Sequence, residues 1–129
     1  DEIMAKCKDI CEADLTEADL RDARLRYGVF PKTQLQGVKA DGADLRESVF
    51  TEATAHYASF RGADFTFADL AHADVSHADL SRADLTRANL HELKAKNTTW
   101  DGANTATAKG TDEKRRQAEQ WTAPRGESA

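Results

Sequence analysis

The sequence predicts an all-β fold in which a short extended segment and a bend alternate every five residues. Three observations predict it. Small residues recur at every fifth position, among them Ala13, Ala18, Ala23, Ala43, Ala63, Ala68, Ala83 and Ala108. A larger apolar residue stands two places after most of them: Leu15, Leu20, Leu25, Phe30, Leu35, Leu45, Phe50, Phe60, Phe65, Leu70, Val75, Leu80, Leu85 and Leu90. Gly37, Gly42, Gly62 and Gly102 each fall two places after a large-residue position, where a bend can use positive φ at least cost.

A five-residue period suits neither common element. On a helix five residues advance about 500°, which would scatter the small–large pair over every face. On an unbroken strand an odd period would flip the pair to the opposite face at each repeat. Two residues separated by one neighbour point the same way when the segment is extended. The chain must therefore bend once per repeat to keep all pairs facing one interior.

The spacing is often filled as Ala-Asp-Leu, at 13–15, 18–20, 43–45, 68–70, 78–80 and 83–85. On these residues the chain resembles the pentapeptide-repeat proteins, whose repeat is approximately Ala-Asp/Asn-Leu followed by two variable residues. The resemblance covers roughly residues 8–108. It implies a right-handed quadrilateral parallel β-helix with four repeats to each coil and about five coils. Residues twenty apart should then stack. Three columns follow: Ile10, Phe30, Phe50, Leu70, Leu90; Leu20, Ala40, Phe60, Leu80, Trp100; and Leu25, Leu45, Phe65, Leu85, Thr105. Val38 with Ala40, and Leu93 with Ala95, invert the size order and conserve volume. Ala53 with Ala55 has no such compensation, so the core should be thin there, with Phe50 and Phe60 as the fillers.

The ends differ from the body, giving three parts: a lead-in or cap over 1–8, the repeat solenoid over 9–108, and a short helix cap with a flexible tail over 109–129. Ile3, Met4 and Cys7 have helical spacing and suit a lid. Asp112–Trp121 reads as the C-terminal helix, with Asp112 and Glu113 in its first turn, basic residues after them and Pro124 beyond; Trp121 is the expected end cap. Cys7 and Cys11 are the only cysteines, and their spacing is a poor zinc or disulfide signature. The start at Asp1, already in a lead-in to the repeats, reads as the C-terminal part of a larger protein.

Net charge is −5, and the tract 13–108 holds 15 acidic and 11 basic residues of mixed order. That balance argues against a nucleic-acid surface. No stretch is long or apolar enough for a membrane helix. Asp64, Asp69, Asp74, Asp79 and Asp84 diverge around the rod and read as structural. His56, His72, His77 and His91 lie outside the core pair; His56 and His77 sit in neighbouring coils, but no metal or cofactor is expected. Two charge ladders are expected, Glu12–Lys32–Glu52–His72–Glu92 and Arg21–Asp41–Arg61. With no nucleophile–His–acid column, no phosphate-cradling glycines and a filled interior, the chain reads as a non-enzyme.

Apolar residues stand where the pattern wants polar ones. Val29 and Val49 occupy the Asp site one coil apart, Tyr27 and Phe67 occupy outward corners, and Pro31 follows in the first of these coils. Together they predict an apolar strip that binds a protein partner. The leading function is a protein–protein interaction scaffold in the bacterial cytoplasm. The run Arg82 to His91, then Trp100, a charged segment and Trp121, also resembles the C-terminal repeat modules of type VI secretion-associated proteins, which implies an adaptor role and leaves secretion open. The alternative is a DNA-mimicking inhibitor of DNA gyrase of the fluoroquinolone-resistance type. Arg24, Arg26 and Arg46 on one face oppose that alternative. The open ends allow end-to-end or edge-mediated homodimers.

Overall fold

A computed structural model describes residues 13–120. Every β-bridge in it is parallel and joins residues twenty apart, from Asp14 with Gln34 to Asn89 with Lys109. Four bridge columns, led by Asp14, Asp19, Arg24 and Val29, give each coil four sides. The coils are held by two alternating backbone bonds. Leu15 N–H donates to Gln34 O at 2.8 Å, and Gln34 N–H donates back to Ala13 O at 2.9 Å. The solenoid is therefore the quadrilateral β-helix expected of the repeat.

Each side ends in a four-residue turn. In the first, Ala18 N–H donates to Leu15 O at 3.0 Å, and Glu17 takes φ 60°. Positive φ at the third turn position is the type II arrangement. The four glycines anticipated there adopt it, Gly62 at φ 66° for instance. So do fourteen other residues, including Tyr27, Tyr57 and Phe67. A left-handed residue with a Cβ costs roughly 1–2 kcal/mol. The turn position that most wants glycine is mostly filled by side chains, and inter-coil bonding outweighs their strain.

The Asp of the repeat has a specific task at this turn. Asp64 Oδ1 accepts the Thr66 N–H at 3.0 Å, and Asp69, Asp74, Asp79 and Asp84 cap their turns in the same way. The cap fills the donor on the second turn residue, an Asx turn that offsets the strain next to it. Val29 departs from Asp at no such cost, because the turn residue after it is Pro31, which has no N–H to cap.

The interior is one apolar column. Leu25, Phe30, Leu35, Leu45, Phe50, Phe60, Phe65, Leu70, Val75, Leu80 and Leu85 are buried, while Leu15, Leu20, Leu90 and Trp100 in the outer coils are only partly so. Phe30 stacks on Phe50 with centroids 5.1 Å apart, and Phe65 meets Phe50 and Phe60 edge-on. Gly28 shows a third size compensation: a Cβ there would lie 2.4 Å from the Phe30 ring, so the smallest residue accompanies one of the largest. The thin spot is present as a void of about 10 Å3 bordered by Ala53, Ala55, Phe50 and Phe60.

After the last turn the chain forms α1 (Glu113–Gln120). Its bonds to the coils go to their flank: Glu119 meets His72 and His91, and Arg116 meets Glu92. The helix thus runs back along one corner, which differs from the expected position over the final coil. The expected lid at Ile3, Met4 and Cys7, Cys11 and the end cap Trp121 lie outside the described residues.

Candidate functional site

The strip named from the sequence divides in two. Tyr27 and Phe67 project from one corner and are 57% and 53% exposed. Both have positive φ, which turns the side chain outward from the coil. Val29 and Val49 are bridged to each other on the adjoining side and are half-buried, as is Pro31. Pro31 occupies the second position of its turn, where its fixed φ favours the bend, so local geometry already accounts for it. Arg26 lies 5.0 Å over the Tyr27 ring, and Arg87 lies 5.8 Å over Phe67. Such cation–π pairs leave one ring face presentable while lowering the cost of its exposure.

Sequence reasoning missed Tyr57, the most exposed large apolar residue at 70%. It stacks on His77 one coil away, with centroids 4.9 Å apart and planes 8° apart. The signal was available, since both occupy the positive-φ corner twenty residues apart. His56, its neighbour, hydrogen-bonds Asp74 at 2.7 Å, so His56 and His77 do not share a ligand position. Burial alone would push the Asp74 carboxyl up, but hydrogen bonds from His56 and Ser76 outweigh it and hold the group at about 2.

The charge ladders are rearranged. Lys32 meets Glu52 at 4.0 Å as expected, but His72 and Glu92 are taken by α1. Arg21 pairs within its own repeat with Asp19 at 2.7 Å, while Asp41 accepts the Ser59 hydroxyl and the Arg61 N–H. The cause is the shorter reach within a repeat: Asp and the residue two places on share one turn. Arg46 likewise grips Asp44 through two nitrogens, and Arg26 meets Glu47 at 3.3 Å.

Beneath α1 sits His91, only 1% exposed although its register placed it outside the core. His91, His72 and Glu119 bring two imidazoles and a carboxylate within 4.8 Å of one another. The set does not suit a metal. Asp112 N–H donates to His91 Nδ1 at 2.9 Å, which places the proton of the neutral ring on Nε2. That nitrogen donates to Glu119 at 2.8 Å and has no lone pair for an ion. The donated bond from His91, with those from His72 and Arg115, holds the Glu119 carboxyl down at about 2.

On one side of α1 lies a groove of about 390 Å3 bordered by Phe67, Asp69, Arg87, Asn89, Lys109 and Arg115. Among the described residues no helix is long and apolar enough to cross a membrane.

Comparison with known proteins agrees with this architecture. The chain resembles the pentapeptide-repeat protein Rfr23 from the cyanobacterium Cyanothece 51142, with 23% identity and a TM-score of 0.58 over 71% of this chain and 66% of that one. It therefore spans just under two thirds of Rfr23. It is also similar to alr5209, a pentapeptide-repeat protein from Nostoc PCC 7120, with 26% identity and a TM-score of 0.52 over 86% and 84% of the two chains. QnrB1, a plasmid-mediated fluoroquinolone resistance protein, is more distant, at 17% identity and a TM-score of 0.34 over 70% and 56% of the chains. No curated protein matches the sequence. The model of the Pentapeptide repeats family matches residues 30–66 and 63–99, more than half of the chain, and with the twenty-residue coil in place the chain belongs to the pentapeptide-repeat family.

Proposed function

We propose that the chain is a non-catalytic docking rod for another protein, in the bacterial cytoplasm, and that Tyr27, Val29, Val49 and Phe67 form the contact. The supporting observation is the pair of aromatic side chains exposed at one corner beside the only two valines at the Asp site. Exposed aromatics of this kind are the usual anchors of protein interfaces. The adaptor role in a type VI secretion system is the narrower form of this reading and rests on the sequence of the tail.

The test is a photo-crosslinking amino acid placed at Tyr27 or Phe67 in cells, compared with the same probe in Val29→Asp/Val49→Asp. Asp at 49 restores the residue type of the repeat and supplies an acceptor for the Thr51 N–H, so the coils should survive. One discrete crosslinked partner, lost in the double variant at unchanged circular dichroism, is the expected result. A partner retained by the variant would overturn the proposal. A gyrase supercoiling assay separates the alternative: inhibition at low concentration favours the DNA mimic, which Arg24 and the ion-paired Arg26 and Arg46 oppose.

A further inference from the structure

The groove between α1 and the Phe67 corner differs in character from the strip, although Phe67 belongs to both. Its carboxylates are engaged. Asp69 accepts the Ala71 N–H at 3.0 Å and the Asn89 amide at 3.3 Å. Asp112 accepts the Arg115 N–H at 3.1 Å as the cap of α1. Arg115 is itself joined to Glu119 at 2.9 Å. Arg87 and Lys109 are different: among the described residues neither has a carboxylate within ion-pair distance, and the guanidinium of Arg87 rests on the Phe67 ring. Two cations with no carboxylate at ion-pair distance among the described residues and one exposed aromatic therefore border a single groove.

Their order along the rod carries the inference. Phe67, Arg87 and Lys109 belong to three successive coils, about 4.8 Å apart along the axis. Alternate side chains of an extended peptide are about 7 Å apart, a difference that long Arg and Lys side chains absorb. We infer that this groove receives an extended, acidic segment of a partner protein, with an apolar side chain against Phe67 and two acidic side chains at alternate positions beyond it against Arg87 and Lys109. This rests on the docking-rod reading and names the chemistry of what docks. Nucleic acid fits less well, because its evenly spaced phosphates call for a longer basic track than the two cations this groove offers.

The test uses the full chain and two fluorescein-labelled peptides, one repeating Leu-Ser-Glu-Ser-Glu-Ser, which puts Leu and both Glu on one face when extended, and one with every Glu replaced by Gln. Fluorescence anisotropy should show binding of the first and at least about tenfold weaker binding of the second. Arg87→Gln/Lys109→Gln should weaken the acidic peptide about tenfold or more, at unchanged thermal midpoint. Arg24→Gln, a charge change outside the groove, should leave it within about twofold. Binding should fall as salt rises. Equal binding of both peptides, or an equal loss in Arg24→Gln, would overturn the inference. So would full displacement by millimolar inorganic phosphate of a peptide whose leucines can be changed to serine without effect, since that outcome marks a simple anion site. Val29→Asp/Val49→Asp should bind the acidic peptide as the parent does. A crosslinked partner retained by that variant while the acidic peptide still binds marks failure of the strip alone, and a partner lost as expected while the parent chain binds no acidic peptide marks failure of the groove alone.

Discussion

Asn89 donates its side-chain amide to the carboxylate of Asp69, one coil away, at 3.3 Å. Its own Oδ1 meanwhile accepts the His91 N–H at 3.1 Å, so one amide caps its turn and bridges to the neighbouring coil. Asp84 stands one coil from Asp64 in the same kind of column, with like charge against like charge. Asp84→Asn should copy the Asn89–Asp69 pair: it keeps the acceptor for Thr86 and replaces a repulsion by a bond. A thermal midpoint equal to or above the parent's is expected. Asp84→Ala removes the acceptor for both the N–H and the hydroxyl of Thr86 and should cost about 1 kcal/mol. Equal loss in both variants would mean that the charge, and not the cap, stabilises the turn.

Docking of α1 should depend on acid. The bond from His91, with those from His72 and Arg115, outweighs desolvation and holds the Glu119 carboxyl at about 2, below its ordinary value of 4.5. A group with a depressed pKa contributes stability that is complete above its ordinary value and is lost as pH falls through the depressed one. Hydrogen-exchange protection over 113–120, taken relative to intrinsic exchange at each pH, should therefore be high at pH 6 and fall between about pH 4.5 and 2, before the coils open. Glu119→Gln should give fast exchange of α1 at pH 6 with an unchanged solenoid. If that variant protects α1 as the parent does, the carboxylate bridge is not what docks the helix.

How much of this was legible in the sequence follows from which interactions are periodic. The core column and the thin spot at Ala53 and Ala55 are set by residues that repeat in register, and periodicity reads them directly, whereas the twenty-residue coil follows from the family resemblance and not from the period. The flank position of α1 is set by contacts between residues 28 and 47 apart, Glu119 with His91 and with His72, which no period marks. A faint sign existed: the turn positions Pro31, Thr51, Ala71 and His91 carry no formal charge, and Ala71 and His91 prove to be buried. The ladders were misread for a related reason. Twenty-residue stacking is not the shortest path between charges, because Arg21 and Arg46 each reach an Asp two residues back. For the binding strip, Tyr27 and Phe67 were visible as breaks in polarity, while Arg26 and Arg87 over their rings needed coordinates.

Thr33 occupies a small site in the core, 0% exposed, and among the described residues its hydroxyl has no hydrogen-bond partner. Ser48 and Thr98, at comparable sites, each donate to a backbone carbonyl, of Leu45 and Val75 respectively. Leaving a buried hydroxyl unbonded costs about 1–3 kcal/mol. Thr33→Val keeps the shape and removes the polar atom, and Val38 shows that the small column accepts valine. Chemical denaturation should give a gain of about 1–2 kcal/mol with an unchanged slope. A loss would show that the hydroxyl is bonded in solution, for example to a buried water.

Ala55→Leu tests whether matching the repeat or filling the space governs stability. The substitution restores the large residue that the pattern wants, yet the void beside Ala55 is only about 10 Å3, about the volume needed to admit one water. Leucine adds three carbons, and Phe50 and Phe60 already occupy the region. Overpacking of this kind costs about 1–3 kcal/mol, so the thermal midpoint should fall although the sequence becomes more regular. Phe50→Leu alone should also destabilise, by opening space beside Phe30 and Phe65. The two changes share one cavity, so the double variant should recover part of the summed loss. Strict additivity would mean that the ring of Phe50 does not compensate for Ala55, and that the thin spot is filled from another side.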